Sequence, residues 1–169
     1  MQGRQYTAQA RIALSNPGPV IAEFCEHMVE HNAVVSEHPE GPELRLGAIH
    51  ARFSRDGDAT LVDVAAPDLE GLYLARMSVA SHILEFAGDD APEIAWTGDG
   101  GEIVRPPNFQ ILEVIACRTL TPHMRRLTLA GENVARFAGL DALHLNLMVQ
   151  VPEAEEPQWP RVGANGVIA

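Results

Sequence analysis

The sequence contains no lysine, and its whole complement of 12 basic residues is arginine. Schiff-base chemistry and a phosphate-binding P-loop both need a lysine, so both are excluded. Aromatic residues make up only 5% of the 169 residues, so the core must be built from Leu, Val, Ile and Ala. No run approaches the roughly 18 apolar residues of a membrane span, and no apolar signal core follows the N-terminus. We therefore expect a cytoplasmic protein.

Cysteine is also scarce, with only Cys25 and Cys117 in the chain. A secreted protein of this size that depended on disulfides would usually contain more. We expect both cysteines to be reduced and mostly buried, because free cysteine packs like a small hydrophobic residue.

Acidic residues are unevenly distributed along the chain. Residues 1–104 hold 17 acidic side chains and 6 arginines, whereas residues 105–169 hold 6 of each. The first segment therefore carries the whole net charge of −11. Such a surface repels nucleic acids and anionic lipids, so we expect no nucleic-acid partner and no membrane partner.

A boundary between two domains is marked by glycine and proline. The glycine-rich stretch Thr97–Glu102 precedes the pair Pro106-Pro107. Glycine permits turns and proline interrupts regular hydrogen bonding, so we predict a linker at 98–108. This divides the chain into a first domain at 1–97 and a second at 109–169.

The first domain alternates between strand and helix patterns. Asp68 is a predicted N-cap, and Gly88 is a predicted helix stop. The patterns predict helices at 17–32 and 68–87, and strands at 6–14, 33–36, 44–53, 60–65 and 93–97. This order favours an α+β fold, a two-layer antiparallel sheet with two helices on one face.

The second segment carries a recognisable series of residues. It comprises Asn108–Val114, then Leu120–Leu129, Asp141–Leu147 and Trp159–Arg161. This series resembles the opening of the flavin domain in siderophore-interacting ferric reductases. The resemblance implies FAD and NAD(P)H as cofactors of the intact family, and a ferric siderophore as the substrate from which reduction releases iron.

That family's flavin motif, Arg-x-Tyr-Ser/Thr, does not occur within residues 105–169. We predict strands at 109–118, 124–130 and 143–151, which would form a partial antiparallel Greek-key β-barrel of the ferredoxin-reductase type. We therefore interpret 109–169 as an incomplete, truncated FAD-binding barrel, and expect no catalysis by this chain alone. Its unpaired strands could pair across a homodimer.

Residues 5–97 resemble a small bacterial family of no assigned activity, often fused ahead of siderophore-interacting flavoproteins. The resemblance rests on the element order, with Phe24–His27 on the first helix and Ser81–Phe86 on the second. It indicates which domains accompany this one, but not its chemistry.

Three histidines form a weak candidate metal cluster. His27 and His31 lie one helical turn apart, a spacing found in metal sites, and His82 could meet them if the two helices pack side by side. Two histidines alone do not close a zinc site. We therefore favour the interpretation that these are ordinary histidines at the edge of the core, with His27 paired to Glu23, and we assign no metal ligand.

Three arginines complete the candidates. Arg76 lies within the apolar arc of the second helix, where we favour a side chain that reaches the surface and pairs with an acid over an anion-binding role. Arg125 and Arg126 could help to hold flavin phosphates or an anionic siderophore, although strand alternation sends them to opposite faces. We assign no catalytic residue and no cofactor-binding residue.

Two functional hypotheses remain open. The chain is either the N-terminal part of a ferric-siderophore reductase, or a non-enzymatic small α+β binding or interaction module with an accessory β arm. Flavin binding by the second segment distinguishes them.

Overall fold

The computed structural model describes residues 4–138, 147–149 and 156–169. The chain divides into two compact units. Unit 1 comprises Met1–Pro107 together with Trp159–Ala169, and unit 2 comprises Asn108–Gln158.

Unit 1 is an α+β unit built on one six-stranded antiparallel sheet, in the order β2-β3-β4-β5-β1-β6. Two helices cross one of its faces. The strands are β1 Tyr6–Ile12, β2 Val34–Ser36, β3 Glu43–Leu46, β4 Ile49–Asp56, β5 Ala59–Ala66 and β6 Trp96–Gly98, and the helices are α1 Pro17–Glu30 and α2 Leu69–Ala87.

The core lies between the helices and one face of the sheet. On the central strand β5, Val62, Val64 and Ala66 are at most 2% exposed, whereas the intervening Asp63 is half-buried on the other face. Phe24 of α1 packs edge-on against Phe53 of β4, with ring centroids 5.4 Å apart. This alternation is what an antiparallel sheet with one covered face requires. The predicted α+β arrangement is confirmed.

The ends of the two helices follow from local features of the sequence. Proline occupies the first turn of α1, where its missing N–H would have no helical partner. The Asp68 side chain accepts a hydrogen bond from the backbone N–H of Gly71 at 2.7 Å and so caps α2. The helix ends at Ala87, followed by Gly88.

The predicted single strand at 44–53 is wrong, because the chain reverses in its middle. Leu46 pairs with Ile49 across a two-residue turn. Gly47 occupies the first turn position with φ of +60°, the position at which a type II′ hairpin turn favours glycine. The predicted strand therefore becomes the hairpin β3–β4, which supplies two strands of the polar sheet face.

Unit 2 contains a two-stranded antiparallel sheet, β7 Glu113–Thr121 with β8 Met124–Ala130. Its register shifts between Val114 and Ala116 and again between Thr119 and Thr121. A 3-10 turn follows at Val134–Phe137. The third predicted strand, 143–151, falls largely outside the described residues. Within the described part of unit 2, no closed barrel is seen.

The two cysteines differ in environment. Cys25 on α1 is 8% exposed, as expected, but Cys117 on β7 is exposed, so the expectation that both are buried is wrong. Every residue of β7 is exposed in this two-stranded sheet, which leaves Cys117 uncovered. Both thiols are free.

In the part of the chain that the structure describes, neither helix has the length and apolarity needed to cross a membrane.

Candidate functional site

The packing of α1 against α2 brings the three candidate histidines together. The ring centroids of His27 and His31 are 4.8 Å apart, and those of His27 and His82 are 4.6 Å apart. The Nε2 atoms of His27 and His31 lie 3.2 Å from each other. His27 is thus the middle member of a row of three imidazoles.

A hydrogen bond fixes the proton position on one of these rings. His82 Nδ1 lies 2.7 Å from the carbonyl oxygen of Ser78. Because a carbonyl only accepts, Nδ1 of His82 carries its proton and Nε2 is the bare nitrogen in the neutral ring. His27 Nδ1 faces the Glu30 carboxylate at 3.9 Å, rather than the predicted Glu23.

These imidazoles do not gather a third metal ligand. Among residues 4–138, 147–149 and 156–169, no group of three or more His, Cys, Asp or Glu side chains is placed to hold a metal ion. His82 lies beside His27 and Phe86, with centroid distances of 4.6 and 5.8 Å. It belongs to an aromatic seam between the helices.

A second candidate site, which the sequence analysis missed, lies on the uncovered face of the sheet. It is an open depression of about 420 Å³ whose floor includes the small side chains of Ala65 and Thr7. A row of polar side chains in register across five strands borders it, namely Thr97, Gln9, Asp63, Arg52 and Glu43. Predicting it requires the strand register, which a single sequence does not supply.

Charges on this face are arranged around Glu43. The Arg45 guanidinium donates to Glu43 from Nε at 2.8 Å, and His38 and His50 approach the same carboxylate at 3.7 and 3.8 Å. The hydrogen bond from Arg45 holds the pKa of Glu43 below its usual value. Gln9 Nε2 donates to Asp63 at 2.7 Å. The depression therefore offers both charge signs and suits a small polar molecule.

Arg76 does not reach the surface, so the favoured prediction for this residue is wrong. It is only 6% exposed, and its Nη1 donates to the carbonyl oxygen of Gly100 at 2.8 Å. Its guanidinium lies 5.8 Å from the centre of the Trp96 ring. Burial lowers the pKa of Arg76, and the negative charge of Glu102 opposes that effect. The contacts of its guanidinium with the Gly100 carbonyl and the Trp96 ring are structural.

In unit 2 the register places two arginines face to face. Arg118 on β7 is directly opposite Arg126 on β8, and directly opposed residues of an antiparallel pair share one face of the sheet. Arg125 is opposite Thr119 on the other face and donates to its hydroxyl at 3.4 Å. Opposed like charges are destabilising, so the Arg118–Arg126 pair is a candidate anion-binding position.

The flavin motif Arg-x-Tyr-Ser/Thr has one match in the sequence, outside the region that resembles the flavin domain. Arg4-Gln5-Tyr6-Thr7 fits the pattern Arg-x-Tyr-Ser/Thr, but it lies at the start of β1 in unit 1. There Arg4 stacks on the Tyr6 ring at 4.6 Å and pairs with Asp99 at 3.4 Å. Trp159, which belongs to the series that resembles the flavin domain, is half-buried within unit 1.

Comparisons with known proteins divide the chain in the same order as the sequence patterns. The family described as "Uncharacterized protein conserved in bacteria (DUF2218)" matches residues 9–97. The family described as "Siderophore-interacting FAD-binding domain" matches residues 113–169. A search of curated proteins finds no significant match.

Among solved structures, the NMR structure of PA4090 from Pseudomonas aeruginosa is similar to part of this chain. The identity is 24%, the TM-score is 0.41, and the alignment covers 54% of this chain and 95% of the other.

Proposed function

The chain belongs to the bacterial DUF2218 family through residues 9–97, and carries a siderophore-interacting FAD-binding region at 113–169; on this basis we propose that it serves in the reduction of ferric siderophores as a flavoprotein component. In this proposal residues 113–169 contribute to FAD binding. The DUF2218 unit is an accessory domain of the same system. NAD(P)H is the source of electrons, and the ferric siderophore is the substrate.

The observation that carries the proposal is the Arg118–Arg126 pair inside the region of similarity. FAD contains a pyrophosphate, and arginine is well suited to bind phosphate oxygens. An anion between the two guanidinium groups would relieve the repulsion that the register imposes. These residues therefore fit the charged part of the cofactor.

When bound, the flavin would accept a hydride from NAD(P)H and pass electrons to the ferric ion. This chain's own residues would bind and orient the phosphates. Ferrous iron is held more weakly than ferric iron by hard oxygen donors, so reduction releases the metal from its chelator. The sequence contains no glycine-rich dinucleotide fingerprint, which supports our proposal that the chain is not catalytically competent by itself.

Unit 2 also presents the surface expected of a β-structure that pairs with further strands, as in a barrel of the ferredoxin-reductase type or a homodimer. Large apolar side chains are 40–59% exposed on its two strands, namely Val114, Ile115, Leu120, Met124 and Leu127. Burial of such side chains is the main driving force for association. Sedimentation of the protein in the presence and absence of FAD would measure whether copies pair.

The flavin proposal is tested by titrating the protein into FAD and following the quenching of flavin fluorescence. We expect saturable binding, weakened about ten-fold or more in Arg118→Ala and Arg126→Ala, because hydrogen bonds to charged groups contribute about 1.5–3 kcal/mol. Arg125→Ala removes the same charge from the other face and is the matched control. Riboflavin, which lacks phosphate, should be insensitive to all three substitutions.

Two results would contradict the proposal. One is the absence of saturable FAD binding by the unmodified protein. The other is an equal loss of FAD affinity in Arg125→Ala, which would show that binding depends on overall positive charge and not on the face that carries Arg118 and Arg126.

The depression on the uncovered sheet face favours a second candidate function, a non-enzymatic module that binds a small polar ligand. It offers carboxylate, guanidinium, amide and hydroxyl groups from five adjacent strands. A siderophore whose iron is replaced by diamagnetic Ga³⁺ is a suitable probe. Shifts of the Gln9 and Asp63 backbone resonances that Asp63→Ala abolishes would support this function, and unchanged resonances at millimolar probe would overturn it for this ligand.

A further inference from the structure

We propose that His27 and His31 form a two-histidine binding site for a divalent transition-metal ion, such as Zn²⁺ or Cu²⁺, on the accessible edge of α1. The inference concerns unit 1 and does not rest on the proposed flavin function. It rests on the distance between two ring nitrogens and on the accessibility of the pair.

The separation of the two Nε2 atoms suits a single bridging ion. They are 3.2 Å apart. Imidazole nitrogens bind Zn²⁺ at about 2.0–2.1 Å, so an ion equidistant from both would subtend an angle of roughly 100°. That angle lies between those of square-planar and tetrahedral sites, the geometries preferred by Cu²⁺ and Zn²⁺ respectively. The backbone need not move, because the side chain of the C-cap residue His31 already meets that of His27 at the end of α1.

The neighbours of His27 prepare it for this role. The Glu30 carboxylate lies 3.9 Å from Nδ1 of His27, which places a negative charge beside the proposed site. The rings of His82 and Phe86 flank His27, at centroid distances of 4.6 and 5.9 Å. The imidazole is thus held in place before an ion arrives.

The same pair makes a hydrogen bond when no ion is bound. The two Nε2 atoms are 3.2 Å apart, so one of them carries a hydrogen and the other accepts it. An ion bound by both Nε2 atoms would take the place of that hydrogen, which would move to Nδ1 of the donor ring, so that this ring stays neutral and no net proton is released. Histidine binds metals only through a bare nitrogen, so protonation of either ring competes with the ion. Binding must therefore weaken as the pH falls.

His82 is not a ligand in this site. No three-residue cluster in the described residues is placed to hold an ion, and His82 Nδ1 is engaged with the Ser78 carbonyl. Two protein ligands leave the other coordination positions open to water or to donor atoms of a small molecule. An open site of this kind can exchange its ion.

The test is calorimetric titration of the full chain, carrying no histidine tag, with Zn²⁺ in a non-chelating buffer. We expect one ion per chain, and an affinity at least ten-fold weaker in His31→Ala and in the double variant His27→Ala/His31→Ala. His31 is exposed, so its substitution should leave the fold intact, which circular dichroism verifies. His123→Ala, at an exposed turn of unit 2, is the matched control and should bind as the unmodified protein does.

The variant His82→Ala tests whether the site uses two histidines or three. We expect its affinity for Zn²⁺ to be within two-fold of that of the unmodified protein. A loss as large as that of His31→Ala would overturn the two-ligand site. Equal binding by the unmodified protein and the double variant would overturn the site altogether.

Discussion

Arg76 in α2 and Gly100 after β6 are joined by a hydrogen bond of 2.8 Å between a buried guanidinium and a backbone carbonyl. Arg76 Nε has no hydrogen-bond partner among the described residues. Burial of a charge is unfavourable unless it is hydrogen-bonded, so this contact both stabilises the arginine and fixes the 98–103 loop against the helix.

Replacement of Arg76 should therefore separate the contribution of its aliphatic side-chain carbons (the stem) from that of its guanidinium group. We expect Arg76→Ala to reduce the free energy of unfolding by about 2–4 kcal/mol, since it removes a charged hydrogen bond and leaves a void. Arg76→Met keeps most of the volume and should lose less. Urea denaturation of the two variants measures the difference, and equal losses would contradict a packing role for the stem.

The segment 159–169 is attached to unit 1 through Trp96, whose Nε1 donates to the Asn165 carbonyl at 2.8 Å. Next to it, Gly166 has φ of +85°, and an added Cβ would lie 3.3 Å from both Arg76 Cβ and Trp96 Nε1. We expect Gly166→Ala to loosen this segment, seen as faster amide hydrogen exchange at Val162 and Val167. Gly101→Ala, where a Cβ meets open space, should leave exchange at both positions unchanged.

The contribution of the Asp68 N-cap of α2 to stability can be tested with two substitutions of that residue. Asp68→Ala should reduce stability by about 1 kcal/mol, because the N–H of Gly71 loses its acceptor, whereas Asp68→Asn should cost only a few tenths. Thermal unfolding of both variants compares them. A loss in Asp68→Asn as large as in Asp68→Ala would indicate that the charge, rather than the hydrogen bond, is responsible.

The two thiols should differ strongly in reactivity. Burial, assisted by the negative charge of Glu37, raises the pKa of Cys25 to about 11. The thiolate is the reactive form, so at pH 8 iodoacetamide should modify the exposed Cys117 first and Cys25 only slowly. Mass spectrometry of the folded and denatured protein distinguishes the sites, and equal rates in the folded state would contradict the burial of Cys25.

The same shift has a consequence for alkaline stability. The folded protein holds the Cys25 proton more tightly than the unfolded chain, so this contribution is fully present below about pH 9 and is lost as the pH rises towards about 11. Cys25→Ala should flatten that part of the stability profile. An unchanged slope in the variant would assign the dependence to other groups.

Local signals were sufficient for the elements that depend on neighbours in sequence. The proline turn of α1, the Asp68 cap and the buried positions Val20, Phe24 and Met28 all follow from patterns within a few residues. The β3–β4 hairpin was missed because its turn, Gly47-Ala48, is short and apolar residues continue on both sides.

Contacts between distant segments could not be predicted from the sequence. The burial of Arg76 depends on a carbonyl 24 residues away, and the Arg118–Arg126 pair depends on the register of a hairpin with two irregularities. The meeting of His27 with His82 was considered, but its 4.6 Å spacing is set by helix packing. Candidate sites in this molecule are therefore tertiary features.

Unit 1 is assembled from two stretches of chain that are separated by the whole of unit 2. The hydrogen bond between Trp96 and Asn165 spans 69 residues. During synthesis on the ribosome, the sheet and both helices of unit 1 emerge well before residues 159–169, which contact Trp96. In a newly made chain, the Trp96 side chain therefore lacks its contact with Asn165 until residue 165 has been synthesised. A chaperone or early partner that recognises Trp96 can act only in that interval.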